Sequence, residues 1–437
     1  MSHKRPRQIA FAAFVAVAVL ALAACGELHP NSTFNHNSDL NTDIDGLWNK
    51  LLFWGTVVFV FVELLLVFTI FRFRKRAGQP APKQTHGNAA LEITWTIIPA
   101  LILAMIAVPT VKTIFKTQAP APAGALDVEV IGHQWWWEFR YPSLGIVTAN
   151  ELYLPAGRTV SFKLTTRDVL HSFWTPQLGG KRDLITNHTN LLWYTPNADL
   201  TENVWNGFCT EYCGSSHANM RFHVYTVSTD KFDSWVHNQQ AVAVMSPAPG
   251  AAPAAASTAA VPAGTPVKAT SVKATAVAAT PVAAADPAAY VFPAEKLPPH
   301  AIPKTPIPAD LTFDDALLAE GDAARGHELL TNMSNMGKAP CVTCHNIRGQ
   351  QQLMKDNEAR GPNLTHVGSR HTFGGGLFVS DAKSLARWIK NAPHMKPGSL
   401  MPTLGVGEYN AMTKKKMTVG LDDRQIADIV AYLQALK

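Results

Sequence analysis

Two long apolar stretches constrain this chain more than any other feature. Residues 47–71 carry charges only at Lys50 and Glu63, and a second stretch covers residues 93–115. Each exceeds the ~20 residues that cross a hydrocarbon core as a helix. Between them stands Arg72-Phe73-Arg74-Lys75-Arg76, a cluster that the positive-inside rule places in a cytoplasmic loop. Both outer ends of the hairpin then face away from the cytoplasm, and everything after Lys116 is expected to be exported. Glu63 within a bilayer is costly unless it meets water or a partner. The hairpin is therefore expected to pack against other membrane subunits.

Composition agrees where it bears on this reading. Charged residues make up 16% of the chain, below the usual quarter. A disordered chain, a coiled coil and a collagen are excluded. The net charge of +6 would fit a nucleic-acid surface if it were gathered on one domain. It is not: residues 1–124 hold 11 basic and 6 acidic groups, whereas residues 125–237 hold 8 and 11. Most of the excess lies in the N-terminus and the basic loop, and no nucleic-acid partner is expected. Lys4-Arg5-Pro6-Arg7, an apolar run over residues 9–24 and then Cys25 read as a secretory signal over residues 1–24. Leu22-Ala23-Ala24-Cys25 resembles a bacterial lipobox, so Cys25 is either a lipidated N-terminus or the residue after an ordinary signal.

The exported part divides by pattern. Residues 125–237 contain short alternating stretches (127–131, 159–165, 190–194 and 222–227) punctuated by Gly, Pro and Asn, the pattern of a β-sandwich. Residues 238–309 turn to Ala, Pro, Val and Thr, a semi-extended linker that cannot bury enough to order itself. Helical signals return over residues 310–437, with candidate helices at 322–333, 381–391 and 422–436. In the last, Ile426, Ile429, Val430 and Leu433 share a face, and Asp422 or Asp423 can cap it. This reads as a small all-α domain.

Two constellations carry chemistry. The first is Cys341-Val342-Thr343-Cys344-His345. Two thiols at this spacing can each add to a vinyl group of one haem, with the adjacent histidine reaching the iron. The alternatives are a redox dithiol or half a zinc site, but no cysteine follows Cys344 to supply a second ligand pair. The second is Cys209-x-Glu211-x-Cys213-x-x-x-His217-x-x-Met220, with His171 upstream. Thiolate, imidazole and thioether donors select copper. Cys209 and Cys213 on one loop can bridge two copper ions, capped by His171 and His217, with Met220 and the Glu211 carbonyl as weak ligands. A Cys209–Cys213 disulfide and a structural His171 are the competing readings.

These residues resemble known families. The helical domain is similar to a class I cytochrome c. That likeness makes Met401, in Pro397-Gly398-Ser399-Leu400-Met401-Pro402, the expected second axial ligand, with Met395 as competitor. Gly361-Pro362-Asn363-Leu364 resembles the loop whose proline carbonyl supports the proximal histidine, here Pro362 on His345. Nearly the whole chain resembles subunit II of a haem–copper cytochrome c oxidase, of the bacterial kind fused to cytochrome c. The architecture implied is a multidomain membrane protein: a transmembrane hairpin, an all-β cupredoxin-like sandwich with the binuclear CuA centre, a linker and an all-α haem domain.

The resemblance also implies roles. Gly132-His133-Gln134-Trp135-Trp136-Trp137 is similar to the family's aromatic segment, which makes Trp135 the residue where an external electron arrives and Trp136 its continuation. Trp137 reads as ordinary core. The Glu211 side chain would bind a magnesium ion shared with subunit I. Glu92 matches the glutamate at the cytoplasmic mouth of a proton channel, with a helix-end carboxylate as the plainer reading. One segment departs from the family pattern: Arg182-Asp183-Leu184-Ile185-Thr186-Asn187-His188. The implied partners are subunit I with haem a, subunit III and a cytochrome donor. The implied location is the bacterial inner membrane, with both soluble domains on the periplasmic face. The implied activity is electron input to a proton-pumping oxidase whose oxygen site lies in subunit I. A quinol oxidase lacks these copper ligands. The rivals are a CuA subunit of a nitric oxide reductase and an independent membrane-tethered electron carrier or copper-handling protein.

Overall fold

A computed structural model of the chain describes residues 17, 29–76, 78, 84, 86–242, 290–332, 341–349 and 359–437. Most of the expected signal peptide, Cys25 and most of the Ala/Pro-rich linker lie outside the described residues. The chain forms two bodies. Met1–Phe139, Leu152–Val227 and Leu297–Ile302 make the first; Arg140–Glu151, Ser228–Lys296 and Pro303–Lys437 make the second.

In the first body, the Ser38 hydroxyl accepts the Asn41 N–H and opens helix α1 (Asp39–Arg72). The apolar run predicts a start near residue 47, but the helix begins two turns earlier. Those polar turns are held by tertiary bonds that hydropathy does not register. Asp39 Oδ1 accepts the Thr195 N–H at 2.8 Å, and Asn41 Nδ2 donates to the Pro176 carbonyl at 2.9 Å. Helix α2 (Ala89–Gln118) starts at Asn88, whose Oδ1 accepts the Leu91 N–H while Glu92 Oε1 accepts the Asn88 N–H. The two bonds satisfy donors at the helix start reciprocally, with Glu92 one position beyond the N3 site of a capping box. At ~1.5 Å per residue both helices exceed the ~30 Å of a hydrocarbon core. Lys116 near the end of α2 pairs with Asp43 near the start of α1. Glu63 is exposed on α1 between exposed Val62 and Leu64, the placement expected of a group that needs a partner.

The sandwich follows the alternating pattern of the sequence. Its strands are β1 (Leu126–His133), β2 (Trp136–Tyr141), β3 (Ile146–Ala149), β4 (Glu151–Pro155), β5 (Val160–Thr166), β6 (His171–Trp174), β7 (Arg182–Leu184), β8 (Asn190–Tyr194), β9 (Glu202–Cys209) and β10 (Arg221–Val227). One sheet runs β3-β2-β1-β5-β8 and the other β4-β10-β9-β6-β7. β1 and β5 pair in parallel, Leu126 opposite Val160 through Gly132 opposite Thr166. Phe162, Phe173 and Phe222 are buried, with Phe173 and Phe222 stacked at 4.8 Å and 14°. Gly207 makes room for them: a Cβ there would lie 2.2 Å from the Phe222 ring. The Arg182–His188 departure forms β7 and a tight turn in which Asn187 takes φ +59°.

The second body contains a helix that the alternating pattern hid. In α3 (Thr229–Gln240), Phe232 and Trp235 at i and i+3 are buried, and Trp235 lies 5.3 Å from the Tyr141 ring. The boundary drawn at residue 237 passes through this helix. The linker also ends earlier than composition suggests. Phe292 in the second body is 1% exposed, and in the first body the His300 carbonyl accepts from Asn206. The aromatic pair Tyr290 and Phe292 marks that end.

The helical domain is built as the sequence indicates. α4 (Ala323–Thr331) is capped by Asp322, α5 (Ala382–Met395) by Asp381, and α6 (Asp423–Ala435) by Asp422 in a capping box with Gln425. Asn391 leaves helical geometry two residues before Pro393, where the ring disfavours helix upstream. α4 crosses α6 closely: a Cβ on Gly326 would lie 2.0 Å from the Asp428 carbonyl. Arg325 reinforces the crossing with two bonds to buried Asp428, at 2.9 and 3.0 Å. The all-α expectation gains two small additions, the two-residue strand pairs Thr372–Phe373 with Phe378–Val379 and Tyr409–Asn410 with Lys415–Lys416.

Candidate copper centre and haem site

The copper constellation assembles at strand ends of the first body. His171 opens β6, Cys209 closes β9, and the Cys209 N–H donates to the Met220 carbonyl, closing the intervening loop. Gly214, at φ +107°, takes a backbone angle that L side chains rarely adopt, and its carbonyl accepts the His217 N–H at 3.0 Å. All six predicted ligand positions converge. Cys209 Sγ lies 3.8 Å from Cys213 Sγ, 3.8 Å from His171 Nδ1 and 3.3 Å from the Glu211 carbonyl oxygen. Cys213 Sγ lies 3.6 Å from His217 Nδ1 and 3.9 Å from Met220 Sδ. The sulfur separation is nearly twice the ~2.05 Å of a disulfide. Two soft sulfurs flanked by two ring nitrogens, with a thioether and a carbonyl behind them, form a donor set that fits copper.

Electrostatics favour loss of a proton there. The Cys209 thiol is held well below its usual range by a hydrogen bond with Cys213, with His171 and backbone donors adding to the effect. The thiolate so formed pushes the Cys213 thiol up. Burial disfavours a charged His171, but Asp168 and the Cys209 sulfur outweigh it and raise its pKa.

Sequence reasoning missed the partners behind the ligands. His171 is 0% exposed, and its Nε2 bonds Asp168 Oδ1 at 2.8 Å, which leaves Nδ1 toward the sulfurs. Outer carboxylates of this kind orient a ligating imidazole and raise its basicity. The i, i+3 spacing of Asp168 and His171 was the available signal. Asp168 Oδ2 also accepts the Gln134 N–H at 2.7 Å, and Gln134 Nε2 donates to the Cys213 carbonyl at 2.7 Å.

The aromatic segment sorts itself around this centre. Trp135 is half-buried, and its indole N–H donates to the Cys213 carbonyl at 2.8 Å. Trp136 stacks on His133 at 4.1 Å, and His133 bonds buried Glu138 at 2.8 Å. The indole beside the His171 ring is that of Trp137, at 6.1 Å. Glu92 is exposed in the first turn of α2, where its carboxylate serves the cap already described. The Glu211 side chain is half-buried.

The haem motif forms in the second body. Cys341–Thr343 is one turn of 3-10 helix, and the Cys344 and His345 N–H groups both donate to the Cys341 carbonyl. His345 Nδ1 lies 2.7 Å from the Pro362 carbonyl, so this nitrogen donates and Nε2 keeps its lone pair. Burial lowers the His345 pKa against the pull of that carbonyl, and the ring stays neutral, as a metal ligand must. A Cβ on Gly361 would lie 2.5 Å from His345 Cε1, so the ring occupies the space a side chain would fill. Burial pushes the Cys341 thiol up to about 12. Met395, the competing ligand, is 6% exposed within the core, whereas Met401 is half-buried at its edge, as is Cys341. The residues present fit a haem attached at Cys341 and Cys344.

Known proteins match in the same three parts. Residues 33–113 match the family model of the cytochrome c oxidase subunit II transmembrane domain, residues 143–227 its periplasmic domain, and residues 323–437 the cytochrome c family. A cytochrome c oxidase subunit 2 of Bacillus sp. strain PS3 is 37% identical over 377 residues, 84% of this chain and 80% of the relative. One from Alkalihalophilus pseudofirmus is 28% identical over 398 residues, 87% and 85% of the two chains. One from Bacillus subtilis is 39% identical over 185 residues, 39% of this chain and 52% of the relative. Taken with the paired apolar helices and the donor set at the sandwich edge, these matches show that the chain belongs to the cytochrome c oxidase subunit II family and is an electron-input subunit of a cytochrome c oxidase, fused to a cytochrome c domain.

Proposed function

We propose that this chain takes electrons from a cytochrome donor and delivers them to subunit I, where oxygen is reduced to water with proton pumping. Cys341 and Cys344 would attach the haem, with His345 and Met401 as axial ligands. His171, Cys209, Glu211, Cys213, His217 and Met220 would hold two copper ions. When bound, these groups supply reversible one-electron storage. The convergence of both thiols with both imidazoles, each sulfur–nitrogen distance 3.8 Å or less, carries this reading.

The chain's own residues prepare the two sites. Pro362 keeps the proton on His345 Nδ1, and Asp168 keeps the other proton on His171 Nε2, so each imidazole presents its free nitrogen. Buried Phe173 and Phe222 wall the sandwich beneath the copper loop and exclude water. Trp135 links the half-exposed edge to Cys213 through one hydrogen bond, the role expected of an electron inlet; Trp136 would extend it. The Glu211 side chain would hold magnesium at the subunit I interface, and Glu92 would stand at the cytoplasmic mouth of a proton path. The soluble domains lie on the periplasmic face in this reading, with the Arg72–Arg76 cluster in the cytoplasm and subunit III as a further neighbour.

The purified complex decides the reaction. Reduced cytochrome should drive oxygen consumption in a preparation that contains this chain and a haem a subunit. Nitric oxide consumption in place of oxygen would move the chain to a reductase. Recovery without any haem-bearing membrane partner would make it an independent carrier.

A further inference from the structure

The loop that follows the haem motif makes contacts that neither site has used. Three residues beyond His345, the half-buried Arg348 guanidinium spans two main-chain carbonyls of the second body. Its Nη1 donates to the Gln240 carbonyl at the C-terminus of α3, and its Nη2 donates to the Gly145 carbonyl at 2.7 Å. Buried His366 donates from Nε2 to the Ala241 carbonyl at 3.2 Å. The last carbonyls of a helix lack partners within it and form its negative end, so a cation and a ring N–H suit them. Gln240 Nε2 donates in turn to the Leu144 carbonyl at 2.8 Å, which ties α3 to the turn that Gly145 closes at φ +64°.

Packing agrees with the bonds. Gly349 takes φ +82°, and a Cβ there would lie 2.8 Å from Val242 Cγ1 and 3.8 Å from Val242 Cβ. The missing side chain lets the two segments approach. The loop is also braced behind His345. The Arg348 N–H donates to Thr365 Oγ1 at 2.9 Å, and the Leu364 N–H donates to the Asn346 carbonyl at 2.9 Å. Contacts at residues 348, 349 and 366 therefore hold the segments that carry His345 and Pro362. Seat and occupant belong to one chain, so docking is intramolecular and gains in effective concentration.

We infer that the C-terminus of α3 and the 142–145 turn form a docking seat for the chain's own haem domain, with Arg348 as the latch, and that the haem works from this seat rather than as a roaming carrier. The second part rests on the proposed haem attachment at Cys341 and Cys344. Arg348 is a positioning residue, acting through the loop that follows His345. Its planar fork reaches two carbonyls at once, which the single ammonium of a lysine matches poorly.

A Val242→Cys, Gly349→Cys pair in the assembled oxidase tests both parts. The 3.8 Å Cβ separation matches the ~3.8 Å typical of a disulfide, so mild oxidation should join residues 242 and 349, read by mass spectrometry of the linked peptides. Adding Arg348→Ala should slow this cross-link several-fold. The cross-linked oxidase should keep donor-driven oxygen consumption near the parent's, and Arg348→Ala alone should lower it several-fold with the haem spectrum intact. No cross-link in a variant with a normal haem spectrum overturns the seat. A cross-link that forms as fast without Arg348, or unchanged turnover in Arg348→Ala, overturns the latch. Turnover that stops on cross-linking and returns on reduction overturns the claim that the haem works there. Absence of covalent haem from the parent chain would instead overturn the attachment, and the cross-link would still report on the seat.

Discussion

Cys213→Ser is expected to strip the chain of its paired copper and to stop donor-driven oxygen consumption, while the haem spectrum stays intact. Cys213 holds more of the constellation together than any other residue. Its sulfur lies within 3.9 Å of the Cys209, His217 and Met220 donors, and its carbonyl accepts from both Gln134 and Trp135. Serine keeps the carbonyl and the loop but replaces a soft thiolate with a hard, protonated hydroxyl. Loss of an outer partner of a metal ligand already costs about 10–100-fold in affinity or activity. Loss of a bridging ligand should exceed that, giving at least about 100-fold less oxygen consumption. Copper analysis beside the oxygen assay checks the prediction; a variant that keeps two coppers and normal turnover would remove Cys213 from the ligand set.

Gly361→Ala is the counterpart in the haem domain. The added methyl would sit 2.5 Å from His345 Cε1 and 2.7 Å from its Nδ1, on the side where that nitrogen donates to Pro362. Nor can the backbone retreat freely, because the Gly361 N–H is bonded to the Cys344 carbonyl at 2.8 Å. Overpacking of this kind costs about 1–3 kcal/mol, and a buried hydrogen bond lost with it costs about another 1–3 kcal/mol. The His345 ring should leave its position, with a changed haem absorption spectrum and a melting midpoint lowered by several degrees or more. The same spectrum and the same midpoint would show that the ring is not seated as described.

The sequence made the donor atoms legible because nature places them close together in the chain. Cys209 to Met220 is one loop, and Cys341 to His345 is one turn, so ligand type and spacing can be read without a fold. His171 was the exception, 38 positions upstream of Cys209. The supporting shell was less visible. Asp168 had a local signal in its spacing to His171, but Arg348 meets Gly145 203 positions away, and no periodicity or motif links them. Helix boundaries failed for a related reason. Hydropathy marks where α1 becomes apolar, whereas its start depends on Asp39 and Asn41 bonding to residues 195 and 176. α3 escaped because only Phe232 and Trp235 mark its buried face beside a sandwich that ends in the same alternating style.

The aromatic segment shows a further limit. Three consecutive tryptophans are chemically alike in a sequence, and only the fold assigns them different neighbours. Trp135 bonds the Cys213 carbonyl, Trp136 stacks on His133, and Trp137 lies in the core as expected, between Phe173 and Phe222 and beside the His171 ring. Backbone pairing separates them, since Trp136 and Trp137 stand on β2 while Trp135 precedes it.

Metal analysis with EPR of the oxidised, assembled complex tests the central claim most directly. The account predicts two coppers and one covalent haem per chain, with one unpaired electron shared equally between both coppers. One copper per chain, no copper, or a Cys209–Cys213 disulfide would contradict it.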